Sequence, residues 1–489
     1  MATDTTTETP QLPAEQGELA TRSDTSGAHR PGSHEPGSRR LGSHGPGARR
    51  PSPGLTLAAA LLGFTLTCLD ASVVNVALPS MESSLGGGTS GLQWVVDAYT
   101  LAFAALMLST GALSDRAGAT RTYALGITVF ALASAACGLA PNLPFLIGAR
   151  VVQGVAAAVM LPASLALVRQ AYPDDAAKRA RAVALWTAGG SAAVAVGPVA
   201  GGILTTAWDW RGIFFVNLPL AALALALLVR APRSERRPAP LDLPGQLTAV
   251  VALAALAFAV IEGGTTGLIA LAVAVAAGAA FVWAEARQPH PVVPLGLFRD
   301  RTVAITVAAG AAVSVAFYSM IFVFSLFFQQ VQGRSALSAG LMFLPMTGVI
   351  AVTNVFAGKL AARFGPRLPM LVGQPLAAAG LLLLLQVDAN TPALLLAFLL
   401  VPLSLGCALT VPPLTTAMLD AVPAERAGLA AGVLNAARQV AGGLGIATFG
   451  ALVADGFAAG MRVSLLISAG LLAVTAAATV WMRTGAGRA

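Results

Sequence analysis

The sequence predicts an all-α polytopic membrane protein, on three observations. Of its 489 residues, 56% are apolar and only 11% are charged, against about 25% charged in an ordinary soluble domain. Mean hydropathy is +0.75. Apolar stretches of about 20 residues, the length a helix needs to cross a bilayer core, recur from Leu55 to Trp481. Alanine and glycine dominate these stretches. That suits helices whose backbones approach closely, because lipid gives one helix no hydrophobic reason to prefer another.

Residues 1–54 lack a long apolar run and are rich in Pro, Gly, Ser, Thr and Arg, so a disordered tail is expected there. Within it PGSHEPGSRR (31–40) is echoed by LGSHGPGARR (41–50). No cleavable secretory signal is expected, because such a signal starts with a charged patch and an apolar run. Fourteen spans follow. Spans 1 and 2, at 55–79 and 92–114, lead to Arg116 and Arg121. Spans 3 and 4, at 120–140 and 144–170, are flanked by Arg169, Lys178, Arg179 and Arg181. Spans 5 and 6, at 181–206 and 213–231, are flanked by Arg230, Arg233, Arg236 and Arg237. Spans 7 and 8, at 245–262 and 267–285, lead to Arg287, Arg299 and Arg301. Spans 9 and 10, at 303–330 and 335–361, carry Lys359, Arg363 and Arg367 at their far side. Spans 11 and 12, at 367–387 and 392–417, lead to Arg426; spans 13 and 14, at 426–453 and 461–482, lead to Arg483 and Arg488.

With the six of the tail, 25 of the 30 Lys and Arg fall on one side of this arrangement. Arg211, Arg334 and Arg462 fall on the other, and Arg150 and Arg438 lie inside spans. Basic residues of short loops are retained in the cytoplasm, so both termini are expected there, in a cell membrane. This asymmetry accounts for the net charge of +8 without a nucleic-acid partner. Cys68, Cys137 and Cys407 sit within apolar runs at no metal or redox spacing, so they read as packing residues.

An internal duplication is visible. GALSDRAG (111–118) and GKLAARFG (358–365) agree at four of eight positions, and Pro162, Pro173 and Asp175 align with Pro412, Pro423 and Glu425 at nearly the same offset. Two concordant offsets point to repeated halves, as transporters often have. The expected organisation is a six-helix bundle over 55–231, an inserted two-helix hairpin with its flanking loops over 232–301, and a second six-helix bundle over 302–482. A short cytoplasmic tail at 483–489 ends the chain.

Four motifs then carry a resemblance. LDASVVNVALP (69–79), GALSDRAGATR (111–121), RVVQG (150–154) and GPVAGG (197–202) occur in order on spans 1, 2, 4 and 5. Together they resemble the major facilitator superfamily, specifically its fourteen-span drug:proton antiporter branch. The second is similar to the superfamily loop GxLaDrxGrkxx, with Ala119 and Thr120 standing where basic residues are usual. The resemblance implies two bundles that alternate access and exchange inward-moving protons for an outward-moving substrate, a hydrophobic drug, dye or antibiotic. An importer of an organic nutrient or osmolyte on the same fold is the alternative, and a sensor without flux is a third class.

Charge inside hydrocarbon is costly, so each ionisable residue there is a functional candidate. Asp70, Asp97 and Arg150 lie roughly nine, five and six residues from the outer ends of their spans, depths that agree within ~6 Å at about 1.5 Å per residue. They are expected to meet in one cavity, where one acid binds the transported proton and Arg150, which cannot lose its own, biases it. A static buried triad is the competing account. Asp115, with Gly111, Arg116, Gly118 and Arg121, is expected to form a cytoplasmic gate, the acid bonding to a nearby Arg or to the helix start around 424–428. Ala362 replaces it in the second copy.

Gly197, Pro198, Gly201 and Gly202 permit close helix packing and a kink, and the resemblance adds a role in limiting leakage. Phe317, Met320 and Phe324 recur near helical spacing in span 9 and are candidates for an apolar substrate surface; lipid contact explains the same stripe. Arg438 receives no role. HExxH, GxSxG and P-loop patterns are missing from the sequence, so no enzyme, metal or cofactor is expected. The expected partners are a small hydrophobic substrate, protons and the bilayer, acting on a monomer.

Overall fold

The computed structural model describes residues 52–173, 175–229, 231, 234, 242–288, 291, 293–423 and 426–482. The tail with its decapeptide repeat, most of the basic loop 232–241, residues 424–425 and the end from 483 lie outside the described residues. The leading helices are α1 (Pro53–Leu85), α2 (Gly88–Ala117), α3 (Ala119–Gly138), α4 (Leu143–Ala171), α5 (Ala176–Trp208), α6 (Gly212–Phe215) and α7 (Asn217–Leu228). Next come α8 (Leu243–Glu262) and α9 (Gly264–Arg287). The trailing helices are α10 (Arg301–Leu326), α11 (Ala336–Met342), α12 (Leu344–Phe364), α13 (Arg367–Leu383), α14 (Ala393–Leu399), α15 (Val401–Asp420), α16 (Ala427–Ala454) and α17 (Phe457–Thr479).

Local chemistry sets many of the boundaries. Asn142, Asp175, Asp242 and Asp300 each accept a backbone N–H of the first turn that follows, at 3.0, 2.9, 2.8 and 2.7 Å, which satisfies donors no helix can satisfy itself. Gly118 (φ 89) turns the chain between α2 and α3, and Gly263 (φ 59) and Gly264 (φ 58) turn it between α8 and α9, conformations that side chains resist. Three expected spans are broken. Span 6 is α6 plus α7, span 10 is α11 plus α12, and span 12 is α14 plus α15. Pro345 and Pro402 lie in the first turns of α12 and α15, where a missing N–H is tolerated but would interrupt one continuous helix.

Among the described residues, twelve segments are long and apolar enough to cross a membrane, or thirteen when α2, bent by 63° between Gly88–Met107 and Ser109–Ala117, is counted as one span. Gly212–Leu228 is a shorter apolar helix. No strand occurs among the described residues. The exposed surface is rich in large apolar side chains such as Leu125, Leu132, Leu394 and Val474, as a lipid-facing exterior requires.

In the leading part α1 packs on α4, α5 and α7, while α4 also holds α2 and α3. In the trailing part α10 packs on α15, α16 and α17, and α13 on α15 and α17. The two parts meet where α2 lies on α16, α5 on α11 and α12, and α1 on α10. One junction uses a helix defect. Pro79 inside α1 lacks the N–H that would engage the carbonyl of Asn75, and Ser325 Oγ of α10 donates to that oxygen at 2.6 Å. Gln329 Nε2, in the π-helical turn Phe327–Val331, donates to Val76 O at 3.0 Å.

Candidate functional site

The most polar part of the leading helices centres on Asp70 of α1 and Arg150 of α4, whose side chains are 0% and 1% exposed and approach to 2.5 Å. Arg150 Nε donates to Val95 O of α2 at 3.0 Å, and Nη1 donates to Gln153 Oε1 at 2.8 Å as well as to Asp70 Oδ2. The other carboxylate oxygen, Asp70 Oδ1, accepts from Gln153 Nε2 at 2.8 Å and from Asn217 Nδ2 of α7 at 2.9 Å. Ser134 of α3 accepts from Asn217 at 2.9 Å and from Gln153 at 3.3 Å, and donates to Phe214 O at 2.9 Å. The guanidinium lies 4.3 Å from the centroid of the Tyr99 ring. A buried ion pair repays its desolvation only when its remaining hydrogen-bonding capacity is met, and here Val95 of α2, Gln153 of α4 and Asn217 of α7 supply the partners.

Helix phase explains the convergence. Arg150 and Gln153, three residues apart, share one face of α4, and Val95 and Tyr99, four apart, share one face of α2. Asp97 lies between those two and therefore points the other way. It is 0% exposed, neither carboxylate oxygen has a hydrogen-bond partner among the described residues, and it faces α16, where a Cβ built on Gly443 would stand 3.5 Å from Oδ1. On the same face of α2, Gln93 Nε2 donates to Ala447 O at 2.5 Å. The structure thus brings Asp70 and Arg150 together and places Asp97 at the separate seam between α2 and α16. Gln153, Asn217, Ser134 and Tyr99 join the sequence-predicted pair, and of these Gln153 has a signal in the sequence, as the polar residue one turn from Arg150.

The other candidates are placed as follows. Asp115, Arg116 and Arg121 are exposed, and no ion pair of Asp115 occurs among the described residues. Its expected partner segment at 424–425 lies outside them. Beside Gly111 a Cβ would meet nothing within 4 Å among the described residues, whereas Gly118 approaches Ser234, which accepts from Thr120 N at 3.1 Å and donates to Gln170 at 2.6 Å. Gly197 and Gly201 abut Ser72 and Val73 of α1, and Gly202 abuts Ala336 and Leu337 of α11. Pro198 lies inside α5, with its carbonyl against Gly340. Met320 and Phe324 are buried in the apolar core rather than lining open space, Phe324 against Phe327 and Phe328 at 6.0 and 5.9 Å. Phe317 is half-buried beside Tyr318. No cluster of three or more His, Cys, Asp or Glu suited to a metal occurs among the described residues.

Comparison with known proteins gives concordant results. The chain is 41% identical over 408 residues to the multidrug resistance protein Stp of Mycobacterium tuberculosis, covering 82% of this chain and 76% of that one. It is 37% identical over 407 residues to the methylenomycin A resistance protein of Streptomyces coelicolor, covering 82% and 86%. Among solved structures, the D-xylose-proton symporter superposes with a TM-score of 0.64 at 15% identity, over 88% of this chain and 97% of that one. A bacterial homolog of the human lysosomal transporter Spinster, inward-facing and unoccupied, gives 0.62 at 18% identity, over 87% and 96%. The likeness to these structures is one of fold. The model of the Major Facilitator Superfamily matches residues 60–446, and the chain belongs to that family.

Proposed function

We propose that this protein exports hydrophobic small molecules of the drug or antibiotic type, by alternating access, in exchange for protons. The relatives named for multidrug and methylenomycin A resistance support the direction and the substrate class. The observation that carries the coupling is Asp97: a buried acid with both oxygens unpartnered, on the seam between the leading and trailing helices. An unpaired buried carboxylate is costly and binding a proton removes that cost, so a change in exposure of this seam would couple proton uptake to conformation. Asp70 and Arg150, saturated by Gln153 and Asn217, serve as the clamp that joins α1, α4 and α7. Asp115 and its neighbours remain our candidates for the cytoplasmic gate, the α5 glycines for the tight seam against leakage, and Phe317 for substrate contact.

The fourteen-span reading belongs to this proposal. It is supported by the twelve spanning segments, the bent α2 and the apolar Gly212–Leu228, with 55–231 and 302–482 as bundles around an inserted α8–α9 pair. The Lys and Arg distribution supports cytoplasmic termini. The test is accumulation of ethidium and growth against a panel of antibiotics in a sensitive bacterial host, with and without an uncoupler. Export predicts lower accumulation that the uncoupler abolishes. Higher accumulation under an inward proton gradient would refute it.

A further inference from the structure

Helices α8 and α9 pack on each other at the periphery, with Leu243, Leu247, Val251, Leu268, Ile269 and Val275 exposed. The inner face of α8 lies across the seam where α2 meets α16, the seam that contains Asp97. Its two attachments differ in kind. Toward α2 they are polar and sit at both ends of α8. Gln246 Nε2 donates to Ala105 O at 2.5 Å, and Gln246 Oε1 accepts from Ser109 Oγ. At the other end Glu262 Oε1 accepts from Trp94 Nε1 at 2.8 Å and from Ser90 Oγ at 3.3 Å, with Trp94 and Phe258 rings 6.1 Å apart. Toward α16 the contact is apolar: Ala257 and Ile261 cluster with Ala447, in a group that Leu101 of α2 completes, and no hydrogen bond joins α8 to α16 among the described residues.

The bend of α2 falls between Met107 and Ser109. In a regular helix the carbonyl of Ala105 would accept from the N–H of Ser109, so Gln246 serves an acceptor at the bend. Breaking the Gln246 bonds would leave part-buried polar groups without partners, whereas sliding alanine and isoleucine over an apolar helix exchanges apolar contact for equally apolar lipid. We infer that α8 is a shutter carried by α2: it keeps its polar attachments through the transport cycle, slides over α16, and keeps lipid off the seam at Asp97. The role of Asp97 in coupling rests on the proposed function; the attachment of α8 to α2 does not.

The test uses the full chain in lipid nanodiscs with Cys68, Cys137 and Cys407 replaced and spin-label pairs at exposed positions. Val275→Cys on α9 is paired with Leu125→Cys on α3, or with Val474→Cys on α17, and distances are read by double electron–electron resonance at acidic and alkaline pH. The α9–α3 distance should be narrow and unchanged, while the α9–α17 distance should be broad or shift with pH. In the same background, Trp94→Phe with Gln246→Leu should broaden the α9–α3 distribution. An α9–α17 distance as narrow and fixed as the α9–α3 distance overturns the inference, as does an α9–α3 distance that the double variant leaves unchanged. Ethidium efflux measured in parallel judges the export proposal separately, since these distances need no substrate.

Discussion

Replacing Asp70 by leucine removes the acceptor of three buried donors: Arg150 Nη1 at 2.5 Å, Gln153 Nε2 at 2.8 Å and Asn217 Nδ2 at 2.9 Å. Gln153 and Asn217 keep Ser134 as a partner. The guanidinium keeps Val95 O and Gln153 Oε1, yet remains a buried cation with no counter-charge among its partners. Breaking a buried pair in this way costs about 3–5 kcal/mol, roughly two to three and a half decades in the folded-to-unfolded ratio at about 1.4 kcal/mol per decade. Removing the cation too, as Asp70→Leu with Arg150→Met, deletes the uncompensated charge, so the double variant should be more stable than Asp70→Leu alone. Unfolding of the purified protein by SDS in mixed micelles, followed by tryptophan fluorescence, supplies the three free energies. A cost below about 1 kcal/mol for Asp70→Leu, or a double variant showing the full sum of the single costs, would refute the clamp.

Asp97→Asn removes no hydrogen bond, so its unfolding midpoint should match that of the parent, while substrate-driven proton release from proteoliposomes falls to background; intact release would eliminate Asp97 as the coupling acid. Gly202→Val places a Cβ at 2.7 Å from Ala336 O and 2.9 Å from Leu337 Cα, an overpacking worth about 1–3 kcal/mol. Gly111→Ala meets nothing within 4 Å and should be neutral or stabilising by up to about 1 kcal/mol, and the same SDS titration ranks the pair. The carboxyl of Asp175, which caps α5, is held below its usual 3.8 by the Lys178 backbone N–H and then by the Lys178 side chain. The stabilisation by this cap is therefore fully present above 3.8 and is lost as pH falls through the lower folded-state value. A carboxyl-carbon NMR titration should show a midpoint below 3.8 that Lys178→Met moves upward.

The Asp70–Arg150 pair is legible in the sequence because charges in hydrocarbon are few and depth follows from residue count. Asp97 is not separable from that pair in the sequence because depth says nothing about azimuth: Val95 and Tyr99 turn one face of α2 toward Arg150, and Asp97 occupies the other. Asn217 has no signal in the sequence, because a neutral amide in an apolar stretch carries no charge to flag it; Gln153 has one, its place one turn from Arg150. The broken spans are not visible to a count of apolar length, although Pro345 and Pro402 mark two of the breaks. Gly197–Gly202 was legible as a packing element, since bare backbone has one evident use among crowded helices; that it faces α1 on one side and α11 on the other needed the fold. By spacing alone Phe324 fits a substrate surface or lipid contact, and its burial among Phe327 and Phe328 puts it in the core instead.

The carbonyl of Asn75, left open by Pro79, also bears on biogenesis. Its partner Ser325 lies 250 residues further along the chain. At about 5–20 residues per second of synthesis, α1 waits roughly 13–50 s in the insertion machinery or the bilayer before α10 exists. Throughout that interval the nascent segment carries an acceptor that only water, lipid headgroups or a chaperone can satisfy. Docking of the second half therefore ends a period of exposure for the first.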